Sequence, residues 1–314
     1  MLLYISFLLI GGLLLYFGGD WIVDGAKGLA ERTHVSPFLI AMVLIGFGTS
    51  APELFVGMRA VSYGSFDIAM GNVVGSNIAN LLLVLALSAV IAPIATSRRL
   101  ITIDGGAALA ATVAFILVCL DGTVSRTEAF LLIAALFGFL YFRLRTDQAE
   151  DDEEDEASIS LTKAVGLAVL GLIALPLGAH LFVAGAVGSA TYMGVPEAVI
   201  GLTVVAIGTS LPEMAACLCA AFKRQNDMAI GNILGSNVFN CTIVVGGASL
   251  VAPMQVSDRF LNGDLWLMLG FTVAALYMMR TAFSLSRVEG GILLATYAGY
   301  LWFVSMPGLL LLPL

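Results

Sequence analysis

A chain of 314 residues that is 60% hydrophobic and 11% charged, with a mean hydropathy of +1.00, has too little polar surface for a soluble domain of this size. That excludes ordinary soluble classes and leaves a polytopic, all-α membrane protein. The formal charge of −8 is not spread over a surface, because residues 147–156, DQAEDDEEDE, hold eight of the 22 acids in one block.

Apolar runs of about 20 residues, enough to cross a bilayer as a helix, recur along the chain. In chain order the expected spans are 3–19, 36–60, 67–92, 101–120, 127–143, 162–184, 196–221, 228–252, 264–280 and 288–306. The first run has no cationic start and no small-residue cleavage site, so it is read as a span and not as a signal peptide. The second, third, seventh and eighth are the long ones and should tilt or break. Cys119, Cys217, Cys219 and Cys241 lie in apolar runs without C-x-x-C spacing, so no disulfide framework or zinc site is expected. The acidic block reads as a self-repelling linker, with a regulatory cation sensor as the alternative; it has no EF-hand spacing. No nucleic-acid partner is expected.

An internal duplication organises these spans. Shifted by 160 residues, GFGTSAPE (46–53) falls on AIGTSLPE (206–213), and GNVVGSNIAN (71–80) falls on GNILGSNVFN (231–240). The same shift pairs Asp67 with Asp227, Pro93 with Pro253, Arg99 with Arg259 and Asp104 with Asp264. The expected architecture is therefore ten transmembrane helices as two five-helix repeats. Residues 1–146 form the first, 147–160 the acidic linker and 161–314 the second, with motif segments at 46–80 and 206–240. Five is odd, so the second repeat must enter the membrane from the opposite side. Of the 14 Lys and Arg, eleven fall in loops 1–2, 3–4, 5–6, 7–8 and 9–10, and only Arg59, Arg126 and Arg259 in the others. By the positive-inside rule both termini face outside and the linker is cytoplasmic, as expected for a multi-pass protein of the cell (inner) membrane.

The paired stretches carry the chemistry. Glu53 and Glu213 sit mid-span, where an ionisable group costs about 2.5–3.5 kcal/mol on insertion scales, and apart from Arg59 at the end of the first no Lys or Arg shares either span. Pro52 and Pro212 cannot donate to the carbonyls of Gly48 and Gly208, so the helix is expected to loosen and free carbonyls around Gly46–Gly48 and Ala206–Gly208. Thr49, Ser50 and Glu53 lie on nearly one helical face, and Thr209, Ser210 and Glu213 repeat them. Ser76 and Asn80 are four apart, as are Ser236 and Asn240. Gly71 and Gly75, with Gly231 and Gly235, suggest close helix approach. Carboxylate, hydroxyl, amide and carbonyl oxygens without His or Cys suit hard cations such as Ca²⁺ and Na⁺, not Zn²⁺ or Cu. Two Glu balance one Ca²⁺, or two or more Na⁺ with near neutrality. A site that either ion can neutralise, but not both together, is the basis for exchange.

At these residues the sequence resembles the cation/calcium exchanger superfamily, and most its compact prokaryotic sodium/calcium exchangers, across almost the whole chain. The resemblance implies a Na⁺/Ca²⁺ antiporter working by alternating access and probing no covalent chemistry: not an enzyme, and without a cofactor. It implies that Glu53 and Glu213 are shared between Ca²⁺ and Na⁺. Thr49 and Thr209, with Gly46 and Ala206, would offer backbone carbonyls; Ser50, Ser210, Ser76 and Ser236 would offer hydroxyls. Asn80 and Asn240 would complete the central site. Some relatives carry Asp at one of these two positions; here both are Asn, which bears on sodium stoichiometry and mildly disfavours proton coupling. The first and sixth helices would be the mobile pair. The chain is expected in a lipid bilayer as a monomer or loose oligomer, extruding Ca²⁺. Alternatives are Ca²⁺/H⁺ or K⁺-dependent Na⁺/Ca²⁺ exchange on the same fold. An intramembrane protease would need a catalytic dyad, which His34 and His180 do not supply, and inverted repeats with broken helices favour a carrier over a channel.

Overall fold

The computed structural model describes residues 1–146, 159–195 and 206–305; the acidic block and the first part of the expected 196–221 span lie outside these. The described residues are almost entirely helical. In chain order they form α1 (Leu2–Thr33), α2 (Pro37–Ser62), α3 (Phe66–Ile91), α4 (Arg98–Cys119), α5 (Arg126–Thr146) and α6 (Leu161–Tyr192). A turn at Ala206–Gly208 precedes α7 (Leu211–Phe222), followed by α8 (Asn226–Val251), α9 (Phe260–Thr281) and α10 (Arg287–Ser305). Eight of these are long and apolar enough to cross a membrane: α1 to α6, α8 and α9. They expose large apolar side chains such as Phe55, Leu117, Ile173 and Trp266.

Local chemistry sets the helix ends. Ser36 caps α2 by accepting from the Leu39 amide, and Pro37 takes the first helical position, where no donor is needed. Ser97 and Ser160 cap α4 and α6 in the same way. Ser125 with Glu128, and Ser286 with Glu289, form reciprocal capping boxes at the starts of α5 and α10. Helix α1 stops at His34 in the left-handed conformation, φ 54°.

Two expected spans are corrected in length. The runs 3–19 and 162–184 belong to helices of 32 residues each, about 48 Å at 1.5 Å per residue. In α1 the charges Asp20, Asp24, Lys27 and Glu31 end the apolar run without ending the helix, because such residues are acceptable helix formers.

The chain divides into two compact units: Met1–Thr49 with Asp147–Asn232, and Ser50–Thr146 with Ile233–Leu314. The division cuts α2 and α8. In the first unit α1 packs antiparallel on α6 through glycines seven residues apart. A Cβ at Gly11 would overlap the backbone of Gly178 and Phe182, one at Gly171 the backbone of Gly18 and Ile22, and one at Gly25 that of Ala164 and Ala168. Gly19 of α1 is equally close to Ala215 of α7. At the end of α7, Lys223 bonds Asp20 and Asp24 of α1, each at 2.6 Å. Burial opposes its charge, but the two carboxylates outweigh burial and hold its pKa above the ordinary lysine value.

In the second unit α3, α4, α9 and the rest of α8 supply a core that includes Ile78, Leu82, Leu85, Phe115, Val244 and Met268. Two short antiparallel pairs cross between the halves of the chain. β1 (Ile94–Ala95) pairs with β4 (Ser284–Leu285), and β2 (Thr123–Val124) pairs with β3 (Met254–Gln255). Arg126 bonds the carbonyls of Leu250 and Val251, and Arg287 bonds that of Ile91. Each of these contacts maps onto its twin under the internal shift.

Candidate ion-binding site

Several helices widen into π-turns where the motifs lie. Such turns cover Ala41–Gly46 in α2, Asn80–Leu85 in α3 and Asn240–Val244 in α8. One extra residue per turn re-aims the side chains that follow, a feature frequent at functional sites. The break expected at Pro52 is corrected: α-helix resumes at Phe47 and runs through Pro52. The loosening falls one turn earlier, in the π-turn. Around Pro212 the chain does break, at Thr209–Ser210, and α7 starts afresh with Pro212 in its first turn.

In the first unit Glu213 is fully buried and lies in the first turn of α7, whose positive end favours a carboxylate. Its backbone carbonyl accepts from Asn232 Nδ2 at 3.2 Å. Thr49 is buried and its hydroxyl donates to the Ile45 carbonyl at 3.0 Å, with Gly46 O at 3.4 Å and Asn232 Oδ1 at 3.5 Å. The Gly46 carbonyl is therefore approached by a hydroxyl and not simply freed, although a carbonyl keeps a second lone pair. Ser210 Oγ is buried with no hydrogen-bond partner among the described residues. Thr209 is half-buried, and Ala206 opens the turn before α7.

The second unit holds Ser50, Glu53, Ser76, Asn80, Ser236 and Asn240, all buried. Both Glu53 oxygens and Ser50 Oγ are without a hydrogen bond among the described residues, though the Ser76 hydroxyl interacts with the carboxylate. The Glu53 carbonyl accepts from Asn72 Nδ2 at 3.1 Å, the twin of the Asn232 bond. Asn80 Nδ2 donates to Asn237 Oδ1 at 3.0 Å, and Asn240 Nδ2 to Asn77 Oδ1 at 3.1 Å and Ser76 Oγ at 3.2 Å. Asn80 Oδ1 and Asn240 Oδ1 remain buried with no partner among the described residues. The glycine reading is corrected in part. Gly231 does approach the backbone at Phe38, but a Cβ at Gly75 would meet nothing within 4 Å, so Gly75 leaves space beside Ser76.

The family model described as sodium/calcium exchanger protein matches residues 3–145 and again 163–306. The chain belongs to the sodium/calcium exchanger protein family. Among curated relatives it is 35% identical to CaxA of Alkalimonas amylolytica, named as an antiporter, over 96% of this chain and 98% of that protein. It is 29% identical to the sodium/calcium exchanger MaX1 of Methanosarcina acetivorans, over 94% and 96% respectively. Among solved structures, the sodium-calcium exchanger NCX_Mj matches with a TM-score of 0.85 at 29% identity, covering 98% of this chain and 100% of that one.

As a member of this exchanger family the protein is a cation/Ca²⁺ antiporter, not an enzyme, and its ions are substrates that need no resident cofactor. Among the described motif residues, Ser50 Oγ, Ser210 Oγ, Asn80 Oδ1 and Asn240 Oδ1 are buried without a hydrogen-bond partner, and all four are oxygens of the kind hard cations take. Sequence reasoning picked Ser76, Asn80 and their twins and passed over Asn72, Asn77, Asn232 and Asn237. The signal was present, since these four are also identical between the two copies of the motif. What hid them is that they bond protein atoms, which spacing alone does not reveal.

Proposed function

We propose that this antiporter exchanges Na⁺ for Ca²⁺ by alternating access, and that its ion ligands are Glu53, Ser50, Ser76, Asn80, Ser236 and Asn240 in the second unit and Glu213, Ser210 and the carbonyls of Gly46, Thr49, Ala206 and Thr209 in the first. The observation that carries this reading is the buried Glu53 carboxylate, met only by the Ser76 hydroxyl, in a unit that also buries Ser50 Oγ, Asn80 Oδ1 and Asn240 Oδ1 with no hydrogen-bond partner among the described residues. Buried acceptors left without partners are strongly unfavourable unless a cation completes them. Glu53 and Glu213 together carry −2, enough to balance one Ca²⁺, which sodium must displace.

The same reading takes the two halves as inverted five-helix repeats. Helix α7 with the segment before it is the seventh span, and α10 is the tenth. At 19 residues α10 is about 28 Å long, close to the hydrocarbon thickness. Support for the inversion comes from the strand pairs. β1·β4 joins two loops that the charge count assigns to the cytoplasm, and β2·β3 joins two assigned to the outside. Termini outside, linker inside, a lipid-facing apolar surface and calcium extrusion as a monomer or loose oligomer complete the proposal. ⁴⁵Ca²⁺ uptake into proteoliposomes loaded in turn with Na⁺, K⁺ or a proton gradient tests it. Sodium-driven uptake is expected; uptake that ignores Na⁺ and follows pH, or requires K⁺ as well, assigns the chain to the other coupling.

A further inference from the structure

We propose that Asn77 and Asn237, which are not themselves ion ligands, are positioning residues that force Asn80 and Asn240 to present oxygen and not nitrogen to the ion, each through its own hydrogen-bond relay. This rests on the ion-site reading above. An asparagine amide has an acceptor end and a donor end of nearly the same shape, so a neutral ligand pair works only if something fixes which end faces the cation.

The first relay runs from Asn80. Its Nδ2 donates to Asn237 Oδ1 at 3.0 Å, and Asn237 Nδ2 donates to the backbone carbonyl of Asn77 at 3.2 Å. A backbone carbonyl can only accept, so the direction of both bonds is fixed and Asn80 Oδ1 is left as the free end. The second relay runs from Asn240. Its Nδ2 donates to Asn77 Oδ1 at 3.1 Å, and Asn77 Nδ2 donates to Cys241 Sγ at 2.9 Å. The Cys241 thiol also interacts with Thr112, whose hydroxyl donates to the Ala108 carbonyl at 2.9 Å. Asn77 Nδ2 also faces Met268 Sδ at 3.6 Å, and a thioether can only accept, which fixes the Asn77 amide and leaves Asn240 Oδ1 free. The two oxygens left over are the two that are buried and unpartnered. The relays differ because the twin of Cys241 is Leu81, which can accept nothing, so Asn237 anchors on backbone where Asn77 anchors on sulfur.

The test is ⁴⁵Ca²⁺ equilibrium binding to the purified full-length protein in detergent, with exchange KM and Vmax in proteoliposomes. Asn77→Ala and Asn237→Ala should each weaken Ca²⁺ binding and raise KM by about 10–100-fold, the usual effect of losing a partner that orients a metal ligand, with Vmax much less affected. Double substitutions decide between positioning and mere packing. Asn77→Ala should add less than about twofold once Asn240→Ala has removed its ligand, yet keep its full effect in Asn80→Ala; Asn237→Ala should show the reverse pairing. Full additivity in both backgrounds overturns the proposal. Should the asparagine variants fail to fold, Cys241 gives the answer. Cys241→Ala should weaken binding about tenfold, while Cys241→Ser, which still accepts from Asn77, should stay within about threefold of the parent. Equal binding by both overturns the second relay. Glu53→Gln serves as the separate check: if it binds Ca²⁺ like the parent, the ion-site reading itself fails, whereas loss there without the pairwise coupling sinks the relays alone.

Discussion

Glu53 is 1% exposed and its oxygens face no cationic side chain within α2. A charge so placed is unfavourable for folding and useful only for binding. Glu53→Gln keeps the shape and removes the charge. Its melting temperature in detergent should hold or rise, while Na⁺-driven Ca²⁺ exchange falls by about 100-fold or more; exchange at the parent rate would sink the site. A second pair of twins shows what the sequence hides at this scale. Asp104 and Asp264 match across the repeat, yet Asp104 bonds Arg143 at 2.7 Å with both partners buried, whereas Asp264 bonds Arg259, which is 46% exposed. The aspartates were legible as a pair; their partners were not, because partner choice depends on how α5 packs on α4. The difference has a measurable size. Asp104→Asn leaves a buried guanidinium without its carboxylate and should lose about 3–5 kcal/mol of stability. Asp264→Asn leaves a half-exposed one and should lose about 1 kcal/mol. Thermal unfolding of both variants in the same detergent, with equal losses as the contrary result, checks the contrast.

Helices were read from hydropathy, and their existence follows the apolar runs closely. Their ends and irregularities do not. The apolar signal ends at Gly19, but α1 continues to Thr33, since charged residues that stop a hydropathy window do not stop a helix. No residue type announces the π-turns at Ala41–Gly46, Asn80–Leu85 and Asn240–Val244, nor those at Ile101–Gly105 and Phe260–Asp264 away from the motifs. Proline drew attention to the correct neighbourhood and the wrong turn. The α1–α6 contact was visible only as a richness in small residues; its seven-residue glycine register emerges once both helices are in place. That register makes a sharp prediction. At Gly178 a Cβ would come within 3 Å of Leu14, Leu15 and Gly11, so Gly178→Ile must push the helices apart and should destabilise by about 1–3 kcal/mol. Gly166→Ile on the same helix, where a Cβ meets nothing within 4 Å, should leave the melting temperature unchanged. Equal effects at the two positions would mean that the close crossing is not what holds α1 to α6.

At the scale of the whole molecule the arguments concern sidedness and charge. Eleven of 14 cationic residues fall in one set of loops. A cysteine introduced between residues 147 and 156 should therefore react with an impermeant maleimide in inverted vesicles and not in intact cells; labelling from outside would reverse the topology. Stoichiometry sets the sign of the transport current. With Asn at both 80 and 240, the proposed ligands carry −2, from Glu53 and Glu213, so one bound Ca²⁺ balances their charge. The family resemblance implies three Na⁺ for each Ca²⁺, which moves one net positive charge with sodium in every cycle. One charge across 100 mV is worth about 2.3 kcal/mol, a bias of about fifty-fold at 1.36 kcal/mol per decade. In proteoliposomes whose potential is clamped with valinomycin and K⁺, an inside-negative potential should speed exchange that takes Na⁺ in and Ca²⁺ out, and an inside-positive one should slow it. Flux indifferent to the clamp would require two Na⁺ per Ca²⁺, so that two fixed carboxylates are neutralised equally by either load and no charge moves.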